Sequence, residues 1–421
     1  MSESDFLGEL AWRGMLMQHT DGAARMLAAG PVSGYAGFDP TASSLHVGSL
    51  VPIMGLVHLQ RNGHRPYVLV GGGTGMIGDP SGKTAERTLQ TVDQVIANAE
   101  AIGAQLARFL DFDGPNGAQL RNNADWLLNL GAIEFMRDVG KHLTVNYMAA
   151  KDSVKSRMEA GISYTEFSYM LLQAYDFVEL RRRDGVTLQV GGSDQWGNMT
   201  AGVELIRRMD GAEANAVTFP LLTTASGAKF GKTEAGAVWL DAERTSPYQF
   251  YQFWINTDDR DAGKYLRLMT LMDRDTIDGL EREATEHPER RDAQSALAHE
   301  ITSRVHGAES ATIAREVSLV LFGRGEVSGL SGAALAALAR EVPSATVTRG
   351  ESLTLPDLFV RANLVKSKGE ARRLAEQGGA YVNGERAGVA MSLIEITPLA
   401  DSYILLRKGA RDYAVVQLTD N

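Results

Sequence analysis

Between residues 33 and 222, short apolar runs alternate with stretches whose apolar residues recur every three or four positions. The runs at 32–38, 65–71 and 186–190 read as buried strands, the second centred on Tyr67-Val68-Leu69-Val70. Residues 45–60, 91–112, 165–179 and 195–209 read as helices; in 91–112 the apolar stripe is Val92, Val95, Ile96, Ala99 and Ile102. This alternation predicts an α/β fold, a doubly wound, mainly parallel sheet covered on both faces. Ligands of such sheets bind beyond the carboxyl ends of the strands, where the connections switch sides. From 247 to about 321 the pattern is helical and rich in charge. The expected division is 1–222 for the α/β part, 223–246 for a loop and connection, 247–325 for a helical domain, 326–352 for a linker, and 353–421 for a small α+β domain.

Composition narrows the picture. Of 421 residues, 44% are apolar and 22% charged, as in ordinary globular proteins. Cysteine is absent, which excludes disulfides and thiolate chemistry. The first residues, Met1-Ser2-Glu3-Ser4-Asp5, lack the basic stretch of a secretion signal, so a cytoplasmic location is expected. The uncharged run 42–60 contains His46, Pro52 and two glycines, and reads as a buried helix rather than a membrane span. Net charge is −10, yet from residue 353 onward nine Lys/Arg meet eight Asp/Glu. The last segment is therefore the least acidic, and the overall charge does not exclude a local nucleic-acid site.

Two glycine motifs are decoys. Gly73-Thr74-Gly75-Met76-Ile77-Gly78 fits a dinucleotide fingerprint, but Asp79-Pro80-Ser81-Gly82 follows where a helix should open. Gly78-Asp79-Pro80-Ser81-Gly82-Lys83-Thr84 resembles a phosphate-binding loop with one residue too few. A ligand-facing loop carrying Asp79, Lys83 and Arg87 is the preferred reading.

Four segments carry chemistry. His46-Val47-Gly48-Ser49 opens a predicted helix, where unpaired N–H groups favour an anion and Gly48 clears space beside the backbone. Its plain alternative is a core histidine. Lys229-Phe230-Gly231-Lys232-Thr233, far downstream, offers two ammonium groups on a glycine-containing loop able to close over pyrophosphate. Its plain alternative is an exposed turn. Tyr169, Gln173 and Asp176 fall at i, i+4 and i+7, a polar stripe on an otherwise apolar helix. That stripe suits a polar small molecule or, alternatively, a structural network. Gly191-Gly192-Ser193-Asp194-Gln195 follows a strand, with Asp194 placed to accept from ribose hydroxyls.

Taken together these residues resemble the bacterial tyrosyl-tRNA synthetases, members of the class I aminoacyl-tRNA synthetases, over essentially the whole chain. The resemblance rests on Tyr35-Ala36-Gly37-Phe38-Asp39-Pro40-Thr41, on the Gly78–Lys83 segment, on Thr165-Glu166-Phe167-Ser168-Tyr169 through Asp176, and on Gly192 to Asn198. His46 to Ser49 is similar to the "HIGH" signature and Lys229 to Thr233 to "KMSKS". It implies a Rossmann-like catalytic domain, then helical and RNA-binding domains. It implies that Tyr35 and Asp176 take the substrate's phenol, that Asp79, Tyr169 and Gln173 hold its ammonium, and that Gln195 lies near its carboxylate. Asp39, Gly192 and Asp194 would contact adenosine. Thr41 and His46, with Gly48 and Ser49, would meet the ATP phosphates, and Lys83, Arg87, Lys229, Lys232 and Thr233 would clamp the leaving pyrophosphate.

ATP is then a substrate, Mg²⁺ is expected with it, no prosthetic group and no protein-held metal are expected, and the partners are tRNA(Tyr), L-tyrosine and a second copy of the chain. Ser49 in place of the second signature histidine, Ala36 where some members carry cysteine, and Pro52 where others carry threonine depart from the familiar pattern. Rejection of phenylalanine would follow from unpaired buried groups, an effect for which this family is the standard example, and no editing domain is expected. The C-terminal segment resembles an alpha-L RNA-binding module, with Lys366, Lys368, Arg372, Arg373 and Arg386 as phosphate contacts. Two competing readings are a catalytically weak, RNA-binding relative and a nicotinamide dehydrogenase. The first conflicts with the intact lysine pair, and the second rests on the decoy glycines alone.

Overall fold

The structure, a computed structural model, describes residues 5–81, 90–158, 161–225, 227, 230–233, 236–322 and 325–420, with 153, 156, 232 and 233 described by backbone only. It forms two compact units, Met1–Thr245 with Thr257–Leu297, and Ser246–Asn256 with Ala298–Asn421.

The first unit is built on strands β1 (Gln18–His19), β2 (Ser33–Phe38), β3 (Arg65–Val70), β4 (Gln119–Asn122), β5 (Leu188–Gly192) and β6 (Asn215–Phe219), in the order β1-β6-β5-β2-β3-β4. Only the β1–β6 pair is antiparallel. All five residues of β6 and five of six in β3 are buried, as expected of parallel strands covered on both faces. The chain runs outward from β2 through β3 and β4, then returns to the other side of β2 with β5 and β6. β2 and β5 are thus neighbours whose connections diverge, and a crevice opens beyond Phe38 and Gly192.

Local chemistry sets the helix that flanks this crevice. Tyr164–Asp184 starts at Ser163, whose hydroxyl accepts from Glu166 N, and stops at Gly185 in the left-handed region (φ 67°). It is longer than the expected 165–179. Arg181, Arg182 and Arg183 occupy its last turn, where positive charge suits the helix dipole.

Further expectations differ from the structure. Residues 45 and 46 are extended rather than helical: Leu240 N donates to Leu45 O (2.9 Å), His46 bridges Trp239, and Val47 N donates to Val238 O (3.0 Å). A 3₁₀ turn, Val47–Ser49, then leads into the helix Leu50–Arg61, which at 12 residues is too short to span a bilayer. The helix expected at 91–112 is Val92–Leu106, and its buried stripe is Val95, Ala99, Ile102 and Leu106; Val92 and Ile96 are exposed. The strand expected at 186–190 lies two residues later, because Gly191 and Gly192 pair with Thr218 and Phe219.

Beside residues 45–47, a small hairpin joins β7 (Lys232–Thr233) and β8 (Gly236–Ala237). The second unit contains the helices Pro247–Ile255, Ala308–Leu321 and Gly332–Glu341 and a sheet ordered β11-β10-β12-β13-β9. Its strands are β9 (Ser344–Thr348), β10 (Ala380–Val382), β11 (Glu385–Arg386), β12 (Tyr403–Lys408) and β13 (Asp412–Thr419). Residues 326–352 are not a bare linker. Leu335 and Leu338 pack with Val317, Val320, Leu405 and Val415, and β9 adds a parallel edge strand to β13. Tyr413 Oη ties the sheet to the helix Ala308–Leu321 by donating to Val320 O at 3.0 Å.

Candidate active site

The crevice at the β2–β5 switch is a cavity of ≈ 430 Å³. At its closed end stands Asp176, 2% exposed. Trp126 Nε1 donates to its Oδ1 (2.8 Å) and Asn123 Nδ2 to its Oδ2 (2.9 Å). Hydrogen bonds of this charge-assisted kind each contribute about 1.5–3 kcal/mol and favour the ionised form. Burial opposes them and wins, raising the carboxyl to about 8, with the Asp39 charge adding to the rise. Tyr35 is fully buried, its ring edge-on to Phe177 at 5.2 Å. Its Oη has no hydrogen-bond partner among the described residues. Burial and then the Asp176 charge push its phenol well above the usual range.

Midway along the cavity the polar groups interlock. Asp39 accepts from Thr74 Oγ1 and from Tyr169 Oη, each at 2.8 Å. Tyr169 spends its proton on that bond, so its oxygen keeps acceptor capacity. Asp79 accepts from Ser81 N (2.9 Å) and from Gln195 Nε2 (2.6 Å). Asn198 Nδ2 reaches the side-chain oxygens of Gln173 and Gln195, both at 3.1 Å. A carboxylate, an amide oxygen and a phenol oxygen are thereby presented together, a set suited to an ammonium group. Asp194 lies just beyond, its carboxyl raised first by burial and then by Asp79. A Cβ on Gly192 would stand 2.5 Å from Asp194 Oδ1, so only glycine leaves room for that carboxylate.

The open end holds Thr41, His46, Gly48 and Ser49. His46 Nδ1 accepts from Gly48 N at 3.0 Å, which puts the proton of the neutral ring on Nε2. Gly48 does more than clear space for a ligand: a Cβ there would meet His46 Cε1 at 2.7 Å, so the space is taken by the histidine's own ring. The two signature segments meet. Gly231 lies against Val47 so closely that a Cβ would stand 2.7 Å from Val47 Cγ2, and Val238 N donates to Gly231 O at 3.1 Å. The hairpin carrying Lys232 and Thr233 therefore rises beside His46. Gln105 secures the junction from below, its Oε1 accepting from Leu45 N (2.9 Å) and its Nε2 donating to Ser44 Oγ (3.1 Å). Lys83, Arg87 and Lys229 lie outside the described residues, and Lys232 and Thr233 are described by backbone only.

Among residues that the sequence did not single out, Asn123, Trp126, Thr74, Asn198 and Gln105 orient those that it did. The Asn122-Asn123 pair at the end of β4, opposite Gly72-Gly73, was the one available signal; Gly73 N donates to Asn123 Oδ1 at 2.7 Å. In the second unit Lys366, Lys368, Arg372 and Arg373 are exposed around the helix Lys368–Glu376, and Arg386 is exposed on β11. Lys368 is paired with Asp357, and Arg407 lies 3.9 Å over the ring of Tyr381.

Residues 27–323 match the profile of the family described as tRNA synthetases class I (W and Y), and residues 334–416 match the tyrosine--tRNA ligase SYY-like C-terminal domain. The second match begins ahead of β9, in keeping with that strand's place in the sheet. A tyrosine--tRNA ligase of Anaeromyxobacter dehalogenans is 52% identical over 419 residues, covering 98% of this chain and 99% of its own. One from Bacillus caldotenax is 50% identical over 418 residues with the same coverage. The crystal structure of a C-terminally truncated mitochondrial tyrosyl-tRNA synthetase of Aspergillus nidulans superposes with a TM-score of 0.69 at 31% identity, over 75% of this chain and 94% of that one. A tyrosyl-tRNA synthetase of Archaeoglobus fulgidus complexed with L-tyrosine shares the fold at a TM-score of 0.55 and 18% identity, over 73% and 99% of the two chains.

Proposed function

The chain belongs to the class I tRNA synthetases of the tryptophan and tyrosine group, and from that membership we infer that it is a tyrosine–tRNA ligase. It activates L-tyrosine with ATP and passes the amino acid to the 3′ end of tRNA(Tyr). The observation that carries the choice of tyrosine is the closed end of the cavity, where a buried carboxylate, Asp176, stands with a buried phenol, Tyr35. A pocket built to pair with a hydroxyl rejects the analogue that lacks it, because its polar groups are left unpaired; tyrosine-selective synthetases are the standard example.

We assign the roles as follows. The phenol of the substrate donates to Asp176 and accepts from Tyr35. Asp79, Gln173 and Tyr169 receive the ammonium, and Gln195 lies beside the carboxylate. A carboxylate oxygen attacks the α-phosphorus of ATP, the bond to the bridging oxygen breaks, and pyrophosphate leaves. Asp39, Gly192 and Asp194 hold the adenosine portion. Thr41 and His46, with the backbone N–H groups at Gly48 and Ser49, meet the phosphates, while Lys83, Arg87, Lys229, Lys232 and Thr233 neutralise the leaving group. The acceleration comes from positioning and from charge aimed at the leaving group, with no covalent enzyme intermediate.

Mg²⁺ enters as the counter-ion of ATP, for which it screens phosphate charge. The C-terminal sheet domain takes the tRNA through Lys366, Lys368, Arg372, Arg373 and Arg386. Dimer formation is supported by Leu128, Ile133, Met136, Val145 and Tyr164, large apolar side chains exposed within one stretch of the first unit. No helix among the described residues is long and apolar enough to cross a membrane, and we place the reaction in the cytoplasm. The test is ATP–pyrophosphate exchange with each amino acid in turn. Tyrosine alone should support it at low concentration; equal exchange with phenylalanine or tryptophan would reassign the substrate.

A further inference from the structure

The closed end of the cavity holds one polar group that the roles above leave unused. Gln189 on β5 is the Cα partner of Tyr35 on β2, so the two side chains leave the same face of the sheet at the same depth. Gln189 is 3% exposed and lines the cavity. Its Oε1, like Tyr35 Oη, has no hydrogen-bond partner among the described residues. Nearby carboxylates show the opposite: Asp176 is held by Asn123 and Trp126, and Asp39 by Thr74 and Tyr169. Two orphaned buried polar atoms at paired positions of neighbouring strands need a partner, and a ligand supplies one.

Resting on the tyrosine reading, we propose that Gln189 is a further specificity-determining residue, pairing through its amide with the ring hydroxyl of the substrate. A phenol has one proton to give and two lone pairs to fill. Asp176 takes the proton and Tyr35 fills one lone pair; the second needs another donor at the same depth. The oxygen and nitrogen of an amide exchange places by half a turn about its terminal bond, with the network deciding which leads. Turned that way, Gln189 presents Nε2 where Oε1 now stands. With phenylalanine bound, that donor has nothing to meet.

The experiment is ATP–pyrophosphate exchange by the full-length chain carrying Gln189→Met, which keeps length and removes both polar atoms, with tyrosine and phenylalanine as alternative substrates. Loss of one buried hydrogen bond to the substrate should lower kcat/KM for tyrosine about tenfold, mostly through KM, and leave phenylalanine unchanged. Combined with Tyr35→Phe, the loss should be smaller than the product of the single losses, because both residues act on one oxygen. Equal losses for both amino acids, or no change for either, overturn the proposal. Should Gln189→Met fail to fold, Gln189→Glu keeps the shape and removes the donor, and the same tyrosine-only loss is expected of it. A wild-type chain without preference for tyrosine would overturn the substrate reading itself, a result distinguishable from failure of the Gln189 assignment alone.

Discussion

The two ends of the cavity are built on opposite plans. At the closed end Asp176 is buried, and it and the carboxylates midway along the cavity are fixed by neighbours: Asp176 by Asn123 and Trp126, Asp39 by Thr74 and Tyr169, Asp79 by Ser81 and Gln195. At the open end the chemistry rests on a 3₁₀ turn capped by His46 and on a two-stranded hairpin joined to it through backbone hydrogen bonds. Desolvated, rigid groups make a missing hydroxyl expensive, which gives selection. Charges carried on short backbone segments can be brought to a leaving group when it forms, which gives rate. On the proposed reading this divides labour, with recognition in the dry half and turnover in the half beside the hairpin.

The largest effect that would sharpen this contrast is expected from Lys232→Ala. Removing one preorganised charge from a transition state costs about 10²–10³ in rate. Tyrosine-dependent exchange should fall by at least that much while tyrosine affinity, measured by equilibrium dialysis, stays within twofold. Unchanged exchange would take the hairpin out of the mechanism.

Asp176→Asn probes the other half. It places an N–H₂ group against Trp126 or Asn123, each already a donor to this side chain. About a hundredfold loss of kcat/KM for tyrosine is expected, from loss of a charged acceptor and an unpaired donor together. Activation of phenylalanine should change far less, and parallel losses would mean that the residue only supports the fold.

A pH effect follows. Burial lifts the Asp176 carboxyl from its ordinary value near 4 to about 8, so it is protonated below that pH, and accepting a hydrogen bond from the substrate's phenol as a carboxylate requires its proton to leave. Tyrosine affinity should rise with pH by up to about tenfold per unit between pH 6 and 8 and then level off. The same shift makes ionisation costly to the folded state. The unfolded carboxyl loses its proton near pH 4 and the folded one near 8, so this group's contribution to stability declines as pH rises through that window. Asp176→Asn should flatten both profiles; a slope that persists in the variant would assign it to another group.

The smallest effect lies in neither half of the cavity. Arg372→Gln with Arg373→Gln should leave exchange untouched, raise the KM for tRNA(Tyr) several-fold, and reduce the salt dependence of tRNA binding by about one unit of slope per lost phosphate contact. Charging kinetics at two salt concentrations decide this.

The sequence disclosed what lies within one element and concealed what joins two. Tyr169, Gln173 and Asp176 stood out because one helix places them on one face, and all three line the cavity. Trp126 and Asn123 did not, since the Asn122-Asn123 pair, the one local signal, does not reveal that they reach across to a helix some 50 positions later. The extended form of residues 45 and 46 was hidden for the same reason: its partners are Val238 to Leu240, and the local pattern favours a helix. Gly48 was legible as a required glycine, but its physical reason, the ring of His46, needed coordinates. In the second unit the Ala-rich stretch before Pro343 suggested a linker, because the edge strand Ser344–Thr348 is polar on its outer side and pairs with the chain's last strand.

One measurement tests the division of labour most directly: single-turnover formation of tyrosyl-adenylate as a function of tyrosine concentration, which yields the affinity and the chemical rate separately for wild type, Lys232→Ala and Asp176→Asn. The account predicts that Lys232→Ala lowers the rate alone and that Asp176→Asn acts chiefly on affinity. Both quantities moving together in either variant would contradict it.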